Sequence, residues 1–564
     1  MSGGPSTDIP LQSSLPLSRW GGPELLQAFA AATEWLAAHR DFVNGLNVFP
    51  IPDGDTGTNM VLTMRQALAE ANAAGDDIPA SAGEVAKRIS HGSLMGARGN
   101  SGVILSQILR GFAAAIEGRA EMDGHDLAAA LDGARLMAYK AVMQPVEGTM
   151  LTVIRLAAER AGLAAQRTPS LQDVLDEALR GAREALASTP DLLEILRQAG
   201  VVDAGGQGVV CILEGMDRLI HGQSVDSSEA NGARNGGDMA FLDHTSELHG
   251  EDPFGYCTNF MVFGQNIDFT QFRDNLAGMG QSAVIVGDDR MVKVHIHALN
   301  PGKVLDYALG IGELGQIKID NMQAQTDELT ERRAQRVSQV PQHQLLTDQA
   351  IIAVAAGEGL ERALRSMGAT GIIAGGQTMN PSTEELLQAV EATPTTDVLL
   401  LPNNANILMA ANQVARLTPK RVRVVPTRSV PQGLAALSAF NADADLDGNA
   451  REMEAAISDV RTVEVTRAIR DAEINGITVK KGQVLGLIDD RLVTSGDDEV
   501  TVACETLVLA NLDTAELVTI FTGEGAGPDQ AEALRFAIQH ANPVVRVEVL
   551  AGDQPHYRFV IAVE

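Results

Sequence analysis

At 564 residues, with 45% hydrophobic, 21% charged and 4% aromatic content, the chain is too long for one hydrophobic core and has the composition of a multidomain globular protein. A formal net charge of −30 excludes broad binding to a nucleic-acid backbone and leaves room only for a local basic site. The three cysteines, Cys211, Cys257 and Cys504, are too scattered for a disulfide framework, no apolar run reaches the roughly 20 residues of a membrane span, and the first twenty residues lack a signal-peptide pattern, so a cytoplasmic protein is expected.

Residues 1–20, rich in Ser, Pro and Gly, read as a flexible tail. Leu25, Leu26, Phe29, Trp35 and Leu36 then recur near helical spacing over 23–40. Residues 47–60 follow as NVFPIPDGDTGTNM. Pro50 and Pro52 bar a helix, Gly54 and Gly57 free the backbone, and a helix is expected over 58–73. Further helices are expected over 83–90 and 103–116, separated by HGSLMGARGNSG, and then over about 125–143, 149–165, 171–187 and 191–199. A second glycine cluster, VVDAGGQGVV at 201–210, leads into a helix at 208–220. The first 220 residues are thus expected to be all-helical, with glycine-bearing loops between helices.

The small, polar run from 222 to 238 reads as a linker. FMVFG, SAVIVGDD and MVKVHIHAL are short strands of a compact α+β unit, with 268–279 compatible with a helix. From 351 onward, IIAVAAG, GIIAGGQ, DVLLLPNN and VRVVPT alternate with helical stretches near 358–367, 382–392 and 406–417. That alternation predicts a parallel α/β sheet with loops at its strand ends suited to ligands. Beyond about 451 the pattern is β-rich, closing with a helix at 528–540 and two strands.

Asp53 and Asp55 form the most chemically suggestive pair. As an EF-hand the loop would place Gly57 at position five, Thr58 at six and Met64 at twelve, so the turn glycine and the bidentate acid are missing. Prolines interrupt the buried strand that a haloacid-dehalogenase aspartate pair requires. A solvated turn that caps a helix and a metal site both remain open for an isolated DGDTG. GARGNSG at 96–102 is neither a Walker A loop nor GxGxxG, but it delivers small residues, Asn100 and Ser101 into a helix start, a workable anion site or an ordinary helix connection.

Together NVFPIPDGDTGTNM, GARGNSG and DAGGQG resemble the nucleotide-binding DhaL-type domain of the dihydroxyacetone kinase family, and more closely the FakA-type chain of fatty-acid kinases. FGYCT, VKVHIH and GDQPHY extend the resemblance through the chain. It implies a multidomain protein: a tail (1–20), an all-α DhaL-like helical barrel binding ATP and Mg²⁺ (21–222), a linker (223–240), a small α+β zinc-binding domain (241–336), a connector (337–348) and a C-terminal α/β region, DegV/DAK-like, for partner binding (349–564). Asp53, Asp55 and Thr58 would hold Mg²⁺ bridging ATP phosphates, with Asn59 assisting. Gly99, Asn100, Ser101 and Gly102 would contact phosphates, and Thr149, Met150 and Asp203 to Gly206 would line the nucleotide pocket. The dihydroxyacetone kinases carry a third aspartate five residues before the pair. Here that position is Val48, which implies fewer acidic ligands.

His295 and His297 alternate on a strand, with Cys257 on an earlier one. By themselves they are a Zn²⁺ set or exposed strand residues; the resemblance implies structural zinc. The loops at 375–382, 401–406 and 426–433 form either a polar cleft or ordinary turns, and no catalytic role is assigned to them. The expected activity is phosphorylation of a fatty acid, presented by a FakB/DegV-like binding protein, to an acyl phosphate, with a homodimer implied by the family. Two rivals stand beside it: a dihydroxyacetone-like small-substrate (glycerone) kinase, and a non-catalytic nucleotide-binding scaffold.

Overall fold

A computed structural model describes residues 18–47, 54–73, 79–142, 144–223, most of 256–321, 348–376, 379–474 and 476–564. The chain divides into two compact units, Met1–Ala233 with Gln344–Glu564, and Arg234–His343. Among the described residues no helix is long and apolar enough to cross a membrane.

The N-terminal half of the larger unit is helical throughout: α1 (Gly22–Ala38), α2 (Arg40–Gly45), α3 (Thr56–Asn72), α4 (Ala82–Met95), α5 (Gly99–Ala115), α6 (Gly124–Ala141), α7 (Met150–Ala165), α8 (Leu171–Leu192), α9 (Glu194–Ala199) and α10 (Ala204–Ile220). Capping residues set the boundaries. The Asp123 carboxylate accepts from the N–H groups of His125 and Asp126 at the start of α6, and Ser170 and Asp203 serve α8 and α10 in the same way. Apolar faces from α1 (Leu25, Phe29), α3 (Met60, Met64), α5 (Leu105, Phe112), α8 (Leu175) and α10 (Val210) merge into one core. Phe29 and Phe112 meet edge to face at 5.7 Å.

Close backbone approach accounts for several glycines inside helices. Gly111 of α5 lies against Gly133 of α6, where an added Cβ would stand 2.1 Å from the Gly133 carbonyl oxygen. At Gly208 of α10 it would stand 2.4 Å from the Met60 sulfur of α3.

The C-terminal half of this unit begins with β5 (Gln349–Ala355), β6 (Gly371–Ala374), β7 (Asp397–Leu401) and β8 (Arg421–Val424), an all-parallel sheet in the order β6-β5-β7-β8. Helices follow β5, β6, β7 and β8 in turn, as the alternation predicts. A six-stranded sheet follows, ordered β13-β12-β9-β16-β14-β15, from β9 (Arg461–Arg467), β12 (Val484–Ile488), β13 (Arg491–Gly496), β14 (Leu517–Thr522), β15 (Arg546–Ala551) and β16 (Tyr557–Val563). All of its neighbours are antiparallel except β14 with β15. Between β9 and β12 runs a two-stranded arm, β10 (Ala472–Ile474) and β11 (Ile477–Val479).

The two halves share apolar core. Ala97 and Val103, on either side of Gly99 and Gly102, are buried with Ala350, Ile352, Val354, Leu386 and Val414 of the α/β half.

The smaller unit holds an antiparallel sheet in the order β2-β3-β1-β4, made of β1 (Tyr256–Phe263), β2 (Gln281–Gly287), β3 (Met291–Ala298) and β4 (Glu313–Asn321). Phe260 and Val262 of β1 and Val292, Val294 and Ile296 of β3 are buried with Val304 and Ala308 of the helix Pro301–Leu309. The helix considered at 268–279 and the linker at 222–238 fall largely outside the described residues.

Candidate active site

A cleft of about 500 Å³ opens in the larger unit, within the range of small-ligand sites. Four helix N-termini line it: Asp55 and Thr56 at the start of α3, Asn100 and Ser101 at α5, Thr149 to Leu151 at α7, and Asp203 to Gly205 at α10. Each start presents backbone N–H groups with no partner in their own helix, and the positive end of a helix dipole. Four such ends on one cavity form a strong setting for a polyphosphate.

Asp55 sits at its floor, 8% exposed, beside Asn59 at 3% and Asn380 at 1%. Burial pushes the Asp55 carboxyl up to about 7, against hydrogen bonds from Asn59, its own backbone N–H and Asn380. Asn380 comes from the α/β half, and its Nδ2 donates to Asp55 Oδ2 at 2.5 Å. Its Oδ1, and Oδ1 of Asn100, are buried with no hydrogen-bond partner among the described residues. A carboxylate with orphaned carbonyl oxygens around it is a donor set suited to a hard cation such as Mg²⁺.

Gly99, at φ +57, allows this crowding, since a Cβ there would lie 2.5 Å from Asn59 Nδ2. Gly102 is held against Thr63 and Gly206 against Val153; both pack beneath the helix starts and do not line the cleft. Thr58 also points elsewhere. Its hydroxyl accepts from Asn44 Nδ2 at 3.0 Å and its N–H donates to Asn44 Oδ1 at 3.2 Å, while Thr56 takes the cleft position. Asp53 and Val48 lie outside the described residues.

Asp203 accepts from the Gly206 N–H at 2.6 Å. Part of its surface faces the cleft, yet burial pushes its carboxyl up to about 6, and the Gly206 and Met150 N–H groups offset this only in part. The folded form therefore holds its proton more tightly than the unfolded chain. The stability linked to this group is full below pH 4 and is lost as pH rises through about 6. Asp203→Asn keeps a capping oxygen without the charge. In nucleotide-free protein the variant is expected to be more stable than wild type by about 1–2 kcal/mol at pH 8, with the gap closing near pH 4. Urea unfolding at both pH values tests this, and a gap independent of pH would refute it.

The loops after β6, β7 and β8 reach the same cleft, carrying Asn380, Asn404 to Asn406 and Arg428. These are the three stretches that sequence leaves between a cleft and ordinary turns. Arg98 Nη1 donates to the Asn380 carbonyl at 2.9 Å and pairs with Glu385 at 3.0 Å, and Asn100 Nδ2 donates to Asn406 Oδ1 at 3.3 Å. From the connection between β9 and β10, Arg470 Nη1 donates to the Gly45 carbonyl at 2.7 Å.

In the smaller unit the β1–β3 register sets Cys257 across from His297 and Asn259 across from His295. On its other side β4 sets Asp320 across from Cys257. Their side chains lie outside the described residues.

Residues 350–564 match the C-terminal family of FakA-like fatty acid kinase chains, residues 253–329 the middle domain of the same FakA-like group, and residues 50–218 the DAK2 domain. Two uncharacterized proteins of Staphylococcus aureus, SAB1090 of strain bovine RF122 / ET3-1 and SAR1202 of strain MRSA252, are each 39% identical over 557 residues, 97% of this chain and all of theirs. The chain belongs to the FakA-like fatty acid kinase family. Its DAK2 match falls on the helical half and its C-terminal match on the α/β half, so this kinase-family chain runs from a helical DAK2 domain to a C-terminal α/β region. Solved structures with some likeness include a fatty-acid-binding DegV family protein from Thermus thermophilus (TM-score 0.29, 14% identity) and the fatty acid kinase B3 protein of Streptococcus pneumoniae loaded with linoleic acid (TM-score 0.27, 11% identity). Each covers 38% of this chain and 99% of its own, and likeness at this level decides nothing about the ligand here.

Proposed function

We propose that this protein is the ATP-dependent kinase component of a fatty acid kinase system. It would transfer the γ-phosphoryl group of ATP to the carboxylate of a fatty acid presented by a separate FakB/DegV-like binding protein. The observation that carries this reading is the convergence of four helix N-termini on one cleft whose floor is the buried Asp55. Helix starts at α5, α7 and α10 would bind and orient the phosphates. Asp55, with Asp53 two residues before it in sequence and the free oxygens of Asn100 and Asn380, would hold Mg²⁺, which neutralises phosphate charge when bound. One carboxylate oxygen of the acceptor forms the new bond to the γ-phosphorus as the bond to the β-γ bridging oxygen breaks, leaving ADP. A carboxylate is already a nucleophile at pH 7, so no general base is required of this chain.

Purified protein is expected to consume ATP when a fatty-acid-loaded binding protein is added, with acyl phosphate formed in equal amount. Phosphorylation of dihydroxyacetone would replace this reading with the small-substrate kinase, and nucleotide binding without turnover would replace it with the scaffold.

We also propose structural Zn²⁺ at Cys257, His295 and His297, on the strength of the register that sets Cys257 across from His297, two residues from His295. Elemental analysis is expected to find zinc in the wild type and to lose it in Cys257→Ser. Zinc-free wild type would remove the proposal.

A further inference from the structure

Charge on the walls of the cleft poses a problem for any polyphosphate ligand. Three acids, Asp55, Asp203 and Asp490, face it. Among the described lining residues only one is Lys or Arg. It is Arg428, in the loop after β8. The helical half, which carries all four helix starts, contributes no described cation to the lining.

Arg428 is built into place. Its N–H donates to Gln432 Oε1 at 2.7 Å, while the preceding Thr427 is fully buried, its hydroxyl accepting from the Asn403 N–H at 3.0 Å. Arg428 is exposed, and its positive charge favours the ionised form of Asp490 on the same cleft, whose backbone adopts φ +66. The neighbouring loops lock this edge of the parallel sheet onto the helical half through Asn380 to Asp55, Arg98 to Glu385 and Asn100 to Asn406. The buried, unpartnered Oδ1 atoms of Asn380 and Asn100 mark the same place as a site with polar capacity to spare.

Resting on the nucleotide reading above, we infer that Arg428 is the phosphate-binding cation of the kinase site, supplied across the seam by the α/β half, so that neither half alone forms a complete site. A guanidinium is always charged and offers a planar fork matched to phosphate oxygens. In phosphoryl transfer a single arginine added to a preformed phosphate cradle has large effects on rate.

The test compares two probes on full-length protein, ATP and adenosine, by calorimetry or fluorescence with and without Mg²⁺. Arg428→Ala is expected to weaken ATP binding at least tenfold and leave adenosine binding within twofold. Arg428→Lys, keeping the charge without the fork, is expected to fall between. Wild-type ATP affinity in Arg428→Ala would overturn the inference. So would equal loss for both probes, which marks a structural role for the side chain. Wild type that binds neither probe would instead sink the nucleotide reading itself, and the inference with it.

Discussion

Asp55→Asn is expected to lower partner-dependent ATP turnover by at least about 10³-fold, because in the proposed site the lost carboxylate would anchor the cation whose charge stabilisation contributes several kcal/mol. The fold should survive. Asparagine keeps an oxygen for the Asn380 and Asn59 amides, and it removes a buried carboxylate that burial has pushed up to about 7. With the folded value above the ordinary 3.8, stability linked to Asp55 in metal-free protein is highest in acid and is lost as pH rises through about 7. The variant should therefore melt no lower than wild type at pH 8. Turnover within tenfold of wild type would refute the role given to Asp55, and a large drop in melting temperature would show that the carboxylate serves the fold instead.

The second large effect concerns stability. Gly111→Val must force apart α5 and α6, whose backbones meet at Gly111 and Gly133, because the first side-chain carbon would already lie 2.1 Å from a carbonyl oxygen that cannot swing away. Overpacking against backbone of this kind is expected to cost about 3 kcal/mol or more. Gly162 on α7 offers the opposite case. Nothing lies within 4 Å of a Cβ there, so Gly162→Ala should stabilise by about 0.5–1 kcal/mol through helix propensity. Chemical denaturation of the two variants should move in opposite directions, and a neutral Gly111→Val would disprove the close crossing.

Much of the fold is legible because helices carry local signals. The helices expected at 125–143 and 149–165 are found within two residues of those bounds. The errors cluster where glycine misleads. α3 begins at Thr56, α5 at Gly99 and α10 at Ala204, each inside a stretch that reads as loop. There glycine serves close packing, as at Gly102 against Thr63, and not flexibility. Val430–Ser438 reads partly as loop because of Pro431, which sits at a helix start where its missing N–H costs nothing. Glu499–Leu509 is hidden by its β-branched residues Val500, Thr501 and Val502.

The site divides along the same line. Its helical wall is readable from motifs. The resemblance implies Thr58, while the turn of α3 brings Thr56 to the cleft and Thr58 to Asn44. Asn380 is unreadable as a partner of Asp55, and Arg428 as a residue of the cleft. Asn380 stands 325 residues from Asp55, and no local pattern records such a meeting. The three loops look polar and free, but sequence offers no reason to bring them to the cleft.

The burial of Ala97 and Val103 among Val354, Leu386 and Val414 also bears on synthesis. The helical half leaves the ribosome with two apolar anchors of its glycine loop uncovered, and they stay so until about 300 further residues have been made. At roughly 5–20 residues per second that interval is about 15–60 s. During it the nascent chain holds its helices but lacks the surface that fixes this loop. Competence to hold nucleotide would thus arrive late in translation, as a property of the finished chain.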